Sequence, residues 1–119
     1  MNREIVVRRY LEAMEKGDLS ATYSCFDQGG VVKSPVYGNM PYEEFYKKLY
    51  GDTVSSKVDI RHIYESTSDP CFFAAHFDYK WVKGDGVSLS SSLVDLFRFS
   101  EGTDKIKHLE IIFDRGVMK

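Results

Sequence analysis

Several protein classes are excluded by what this 119-residue sequence lacks. It has only two cysteines, Cys25 and Cys71, far apart, with neither the Cys-x-x-Cys spacing of a metal knuckle nor the density of a disulfide-stapled scaffold. Both are expected to be reduced and buried. It has no surplus of positive charge: 16 basic residues stand against 18 acidic ones, for a net charge of −2, so nothing gathers phosphates or anionic lipid, and neither nucleic acid nor a membrane surface is expected as a partner. No apolar run approaches the ~20 residues of a spanning helix, and residues 1–9 mix charge with Ile5, Val6 and Val7. A cytoplasmic location is the resulting expectation. Internal repeats, low-complexity stretches and linkers are also missing, so residues 1–119 are expected to form a single domain around one core. No histidine and carboxylate cluster has metal-ligand spacing, no glycine-rich phosphate loop is present and no serine sits in a nucleophile elbow, so neither metal nor cofactor is expected.

What is present is a change of period along the chain. Val6, Val7, Tyr10, Leu11 and Met14 recur at three- and four-residue steps, the inner stripe of an amphipathic helix. Gly17 suits a helix C-terminus and Asp18 an N-cap, which predicts a second helix with Leu19, Tyr23 and Phe26 on its inner face. Gly29-Gly30 breaks the pattern, Val31-Val32 reads as a short strand, Pro35 and Gly38 mark a loop, and Pro41 opens a third helix through Tyr50. Beyond Gly51 the period becomes two, predicting antiparallel strands over 58–65, 71–82, 87–99 and 105–113. Helices first and a curved meander afterwards predict an α+β fold with the sheet wrapped around the helices.

Strand parity then locates a pocket. Phe73, Ala75, Phe77, Tyr79 and Trp81 share one face of their strand, and Leu89, Ser91, Leu93, Asp95, Phe97 and Phe99 share one face of the next. Asp95 therefore falls among apolar neighbours, where a carboxylate must be hydrogen-bonded, paired or protonated. It either satisfies backbone N–H groups, pairs with a buried cation, or serves a ligand. The same count groups His62 with Val58, Ile60 and Tyr64 and makes it the one histidine facing the pocket, His76 and His108 falling on polar sides. Phe72, Ala74, Val94, Leu96 and Ile112 fall on the opposite sheet face, an apolar patch that predicts a homodimer.

Five separated segments resemble bacterial ketosteroid isomerases: Val6-Val7-Arg8-Arg9-Tyr10-Leu11, Lys16-Gly17-Asp18-Leu19, Val31-Val32-Lys33-Ser34-Pro35-Val36, Phe45-Tyr46, and Val94-Asp95-Leu96-Phe97-Arg98-Phe99. The likeness extends to the wider SnoaL-like and nuclear-transport-factor-2-like superfamily. It implies a cone-shaped fold, N-terminal helices in a curved antiparallel sheet that is mixed at one edge, closing on an apolar pocket. It implies that Tyr10 and a protonated Asp95 donate hydrogen bonds to a developing enolate, with Tyr46 supporting them. An aspartic acid kept neutral by an apolar site is the known device of that isomerase. The isomerases' basic aspartate precedes the proline after the first strand, and that residue here is Ser34, whose hydroxyl is far too weak a base to take a carbon-bound proton.

Two functions follow. One is an isomerase- or cyclase-type enzyme that stabilises an enolate with Tyr10 and Asp95, His62 replacing the missing base. The other is a non-catalytic module that binds a small apolar molecule in the same pocket or serves dimerisation. In both, Ser34, Tyr46, Phe73, Phe77, Phe97 and Phe113 are the expected ligand-contacting wall.

Overall fold

In the computed structural model, which describes residues 2–119, the first helix, α1 (Arg3–Lys16), begins where the Asn2 side chain accepts the N–H of Ile5. It ends at Gly17, whose φ of 64° lies in the left-handed region that glycine occupies without strain. The N–H groups of Gly17 and Asp18 fold back onto the carbonyls of Met14 and Ala13, at 3.2 and 3.0 Å. Asp18 then caps α2 (Leu19–Tyr23) by accepting from Ala21. The break expected at Gly17-Asp18 is there, but α2 is short, and Phe26 belongs to the strand that follows.

That strand, β1 (Phe26–Ser34), is longer than Val31-Val32 alone, and it turns back into β2 (Gly38–Pro41), which composition made look like loop. Helix α3 (Tyr42–Asp52) follows Pro41, and four strands complete the chain: β3 (Thr53–Glu65), β4 (Phe72–Lys83), β5 (Ser88–Phe99) and β6 (Ile106–Ile112). The α+β reading is correct. All six strands form one sheet in the order β2-β1-β6-β5-β4-β3, antiparallel throughout except for the parallel pair β1–β6. A single 3-10 turn, Arg115–Val117, ends the described chain.

The core lies between the helices and the concave face of the sheet. Val7, Tyr10 and Leu11 of α1, Phe45 and Tyr46 of α3, and Ala75, Phe77, Phe97, Ile106 and Leu109 of the sheet are all nearly inaccessible. Complete burial of one aliphatic or aromatic side chain stabilises the fold by roughly 1.5–3 kcal/mol, so this shared core holds helices and sheet in one unit. None of the described helices is long and apolar enough to cross a membrane.

One irregularity decides a functional question. In β3, Ile60 pairs with Phe77 and His62 with His76, so two residues on β3 advance against one on β4. Arg61 is the extra residue of a β-bulge, and it reverses the parity of everything after it. Val58, Ile60 and Ile63 face the core, whereas His62 and Tyr64 face out. The expectation that His62 faces the pocket is thus corrected. It is exposed on the convex face beside His76, with ring centroids 6.4 Å apart.

Candidate active site

The candidate site is a small cavity between α1, α3 and the concave sheet. Its deep wall is made of Tyr10 and Met14 from α1, Phe45 and Leu49 from α3, Phe77, Tyr79 and Trp81 from β4, and Leu89, Leu93 and Asp95 from β5. Its solvent side is bordered by Ser34, Val36, Tyr37, Ile111 and Phe113. The free volume is about 40 Å³. Since one water needs roughly 10–15 Å³ on this measure, the space holds a few non-hydrogen atoms.

Asp95 is the electrostatic centre of this space. Regular alternation on β5 aims it inward between Leu93 and Phe97, it is 1% exposed, and its Oδ1 has no hydrogen-bond partner. Burial alone pushes its carboxyl well above the usual carboxylate range, with no cation beside it to oppose the shift. Among the described residues neither of the structural roles open to Asp95 in the sequence is realised: Oδ1 accepts no backbone N–H, and no lysine, arginine or histidine lines the cavity. A neutral carboxyl has one O–H to donate.

Tyr10 supplies the second polar group. Its hydroxyl lies 2.6 Å from that of Tyr46, one donating and the other accepting. Burial raises the pKa of both phenols, so both are neutral donors. With Tyr46 donating to Tyr10, the proton of Tyr10 is free to point into the cavity. The rings are locked by edge-on contacts, Tyr10 against Phe97 at 5.5 Å and Tyr46 against Phe45 at 4.8 Å.

Ser34 is buried on the cavity wall, but its Oγ accepts the N–H groups of Val36 and Tyr37, at 3.0 and 3.4 Å. It shapes the turn between β1 and β2. Of the other expected wall residues, Phe77 and Phe113 line the cavity, while Tyr46 and Phe97 stand one layer back behind Tyr10. Phe73 does not reach it. That side chain lies at the far end of the sheet, edge-on to Phe99 at 5.7 Å and beside Asn2, Arg3 and Pro70. The structure adds Tyr37, which the sequence did not single out, and brings Trp81, which strand parity set on the inner face, into the wall. Trp81 is fixed by its indole N–H donating to Thr53 at 2.9 Å, and Tyr37 by its hydroxyl donating to Asp52 at 2.7 Å. Among the described residues no cluster of three or more histidine, cysteine or acidic side chains is placed to hold a metal ion.

This architecture is shared with many solved structures. A Δ5-3-ketosteroid isomerase from a Mycobacterium species superposes with a TM-score of 0.76 at 14% identity, covering 97% of this chain and 95% of that one. A LEH-like epoxide hydrolase of Mycobacterium tuberculosis gives 0.77 at 13% identity, over 98% and 85% of the two chains. A protein of ketosteroid isomerase-like fold from Catenulispora acidiphila, in complex with trimethylamine, gives 0.78 at 13% identity, over 94% and 87%. No family model and no curated protein matches the sequence. The chain has the nuclear-transport-factor-2-like fold of ketosteroid isomerase-like and SnoaL-like proteins. That fold serves isomerases, epoxide hydrolases and proteins of unknown function alike, so activity must be argued from the site.

Proposed function

We propose that the protein binds a small molecule through one acceptor oxygen, a carbonyl or enol-type group, held by Tyr10 and a protonated Asp95, and that it does so without taking a proton from carbon. The observation that carries this reading is the orphaned Asp95 Oδ1 on the wall of an apolar cavity. A buried carboxyl with no partner costs stability, and a ligand that accepts its hydrogen offsets that cost. The wall itself supports a reading without proton abstraction: among the described residues lining the cavity there is no histidine and no carboxylate besides Asp95. His62 is on the other side of the sheet, and Ser34 is committed to the turn. The binding-module reading is therefore preferred to the isomerase- or cyclase-type enzyme.

Size bounds the affinity. At about −1.5 kcal/mol per non-hydrogen atom as a ceiling, a four-atom ketone reaches roughly −6 kcal/mol, a dissociation constant of tens of micromolar at best. The test is titration with acetone, followed through the indole proton of Trp81, the single tryptophan of the chain. Asp95→Leu should weaken binding about five- to tenfold, the worth of one hydrogen bond, and Asp95→Asn, which keeps a donor, should retain most of it. Equal binding by the wild type and Asp95→Leu would sink the reading.

A second reading rests on the aromatic rings that share the cavity with Asp95, among them Tyr79 and Trp81, which stack at 6.5 Å. A small amine that takes the proton of Asp95 would form an ion pair faced by aromatic rings, and the Catenulispora relative holds trimethylamine. pH separates the two. Ketone binding falls as Asp95 ionises, whereas binding of an ammonium ion strengthens.

A further inference from the structure

The cavity is walled unevenly. Its deep wall is buried throughout, while Val36, Tyr37, Ile111 and Phe113 on the solvent side are only half-buried. Ile111 is held within β6 and Phe113 just beyond it, but Val36 and Tyr37 belong to the turn between β1 and β2. Two sets of hydrogen bonds hold that turn. At its base Ser34 Oγ takes the N–H groups of Val36 and Tyr37. At its tip the Tyr37 hydroxyl donates to Asp52 Oδ2 at 2.7 Å, while its ring meets Phe45 edge-on at 5.8 Å and carries the Lys48 ammonium at 5.4 Å. Asp52 ends α3, and its carbonyl accepts the N–H of Gly84 at 2.7 Å, so the anchor is itself tied to the turn after β4. Of the half-buried residues, Tyr37 alone is fastened by a side-chain hydrogen bond.

We propose that Tyr37, latched to Asp52, is the gate of the cavity and sets the largest ligand that enters while the latch is closed: a few non-hydrogen atoms, smaller than a six-membered ring. A cavity of about 150 Å³ takes benzene, and this one has about 40 Å³, so a ring enters only when the gate swings out. A single hydrogen bond at a half-exposed turn breaks readily, on the time scale of loop motion. Ser34, which stands where the isomerases carry their base, aims the turn that carries the gate. The proposal rests on the reading above for the ligand's polar group but not for its size.

The test uses two graded series, with binding read from ligand-detected NMR and the Trp81 indole proton. The ketones are acetone, cyclohexanone and decalone; the hydrocarbons, which have no acceptor, are benzene and naphthalene. Wild type should bind acetone, bind cyclohexanone with at least tenfold slower association, and reject decalone. Tyr37→Phe keeps the ring and loses the latch, so association and dissociation of cyclohexanone should both quicken severalfold while the dissociation constant stays within twofold. Tyr37→Ala should admit decalone at least tenfold more tightly than wild type. The gate is refuted if wild type binds decalone as readily as acetone, or if both variants, folded by circular dichroism, leave the size ranking unchanged. Failure of the acceptor reading looks different: Asp95→Leu would bind ketones like wild type while benzene and naphthalene still sort by size.

Discussion

The hydroxyls of Tyr10 and Tyr46, from the first and third helices, lie 2.6 Å apart on two side chains that are almost wholly buried. Among the described residues neither phenol has another hydrogen-bond partner, so each satisfies the other in the absence of a ligand. Tyr46→Phe should therefore destabilise the fold by about 1–3 kcal/mol, the usual cost of leaving a buried polar group unpaired. Urea denaturation at pH 7 measures it. The same variant should weaken ketone binding, because the orientation of the Tyr10 proton is no longer set by a donor behind it. A variant as stable as wild type would show that the pair contributes nothing.

His62→Ala should leave ligand affinity and its pH dependence unchanged. The bulge at Arg61 turns this side chain to the convex face, where it lies beside His76 and Tyr64 with the sheet between it and the cavity. Titration of the variant with acetone from pH 5 to pH 8 is the measurement. A loss of affinity beyond twofold would mean that β3 shifts its register when ligand binds.

How much of this was legible in the sequence depends on regularity. The helix break was readable because Gly17 and Asp18 have specific local chemistry, and the inward placement of Asp95 because β5 alternates without interruption around it. Parity failed at His62 because the bulge places an arginine in the extra position, and nothing in Ile60-Arg61-His62 signals a lost step. The strand β2 was hidden by Gly38, Asn39 and Pro41, residues that favour turns and are tolerated here only because β2 is a sheet edge. Tyr37 was missed since the direction of a turn residue depends on what fastens the turn. Its available signal was Ser34 placed two and three residues before backbone N–H groups that a hydroxyl can take.

The convex face carries Phe72, Leu96 and Ile112 at 39%, 37% and 45% exposure. Cross-strand register sets Leu96 between Ala74 and Glu110, Val94 between His76 and Ile112, and Arg98 between Phe72 and His108. We propose that a second copy covers this patch, because a two-fold contact can bring the Arg98 of each copy towards the Glu110 of the other around an apolar centre. Sedimentation at micromolar concentration should give a dimer for wild type. Leu96→Glu should shift it to monomer, since it sets a second carboxylate directly opposite Glu110 at the middle of the contact, where like charges would be buried together. Monomeric wild type would dismiss the dimer.

The last prediction concerns Asp95 and pH. Desolvation raises its carboxyl well above the usual value in the folded state, while in the unfolded chain it titrates like an ordinary aspartate, at about 3.9. Below the unfolded value both states carry the proton and Asp95 has no effect on the pH dependence. As pH rises past it, the unfolded chain ionises and gains solvation that the folded state cannot match, so stability is lost progressively until the folded carboxyl ionises too. Asp95→Asn removes this linkage while keeping a donor and nearly the same volume. The variant should therefore be as stable as wild type or somewhat less so near pH 4, and should gain on it steadily towards pH 8. Paired thermal melts at half-unit steps measure the difference. A ligand that accepts a hydrogen bond from the neutral Asp95 carboxyl should shrink the wild type's deficit at pH 7, because it stabilises the protonated folded form alone. A gap between variant and wild type that stays flat from pH 4 to pH 8 would mean that Asp95 ionises in the fold at its ordinary value, and the neutral donor on which the site depends would be gone.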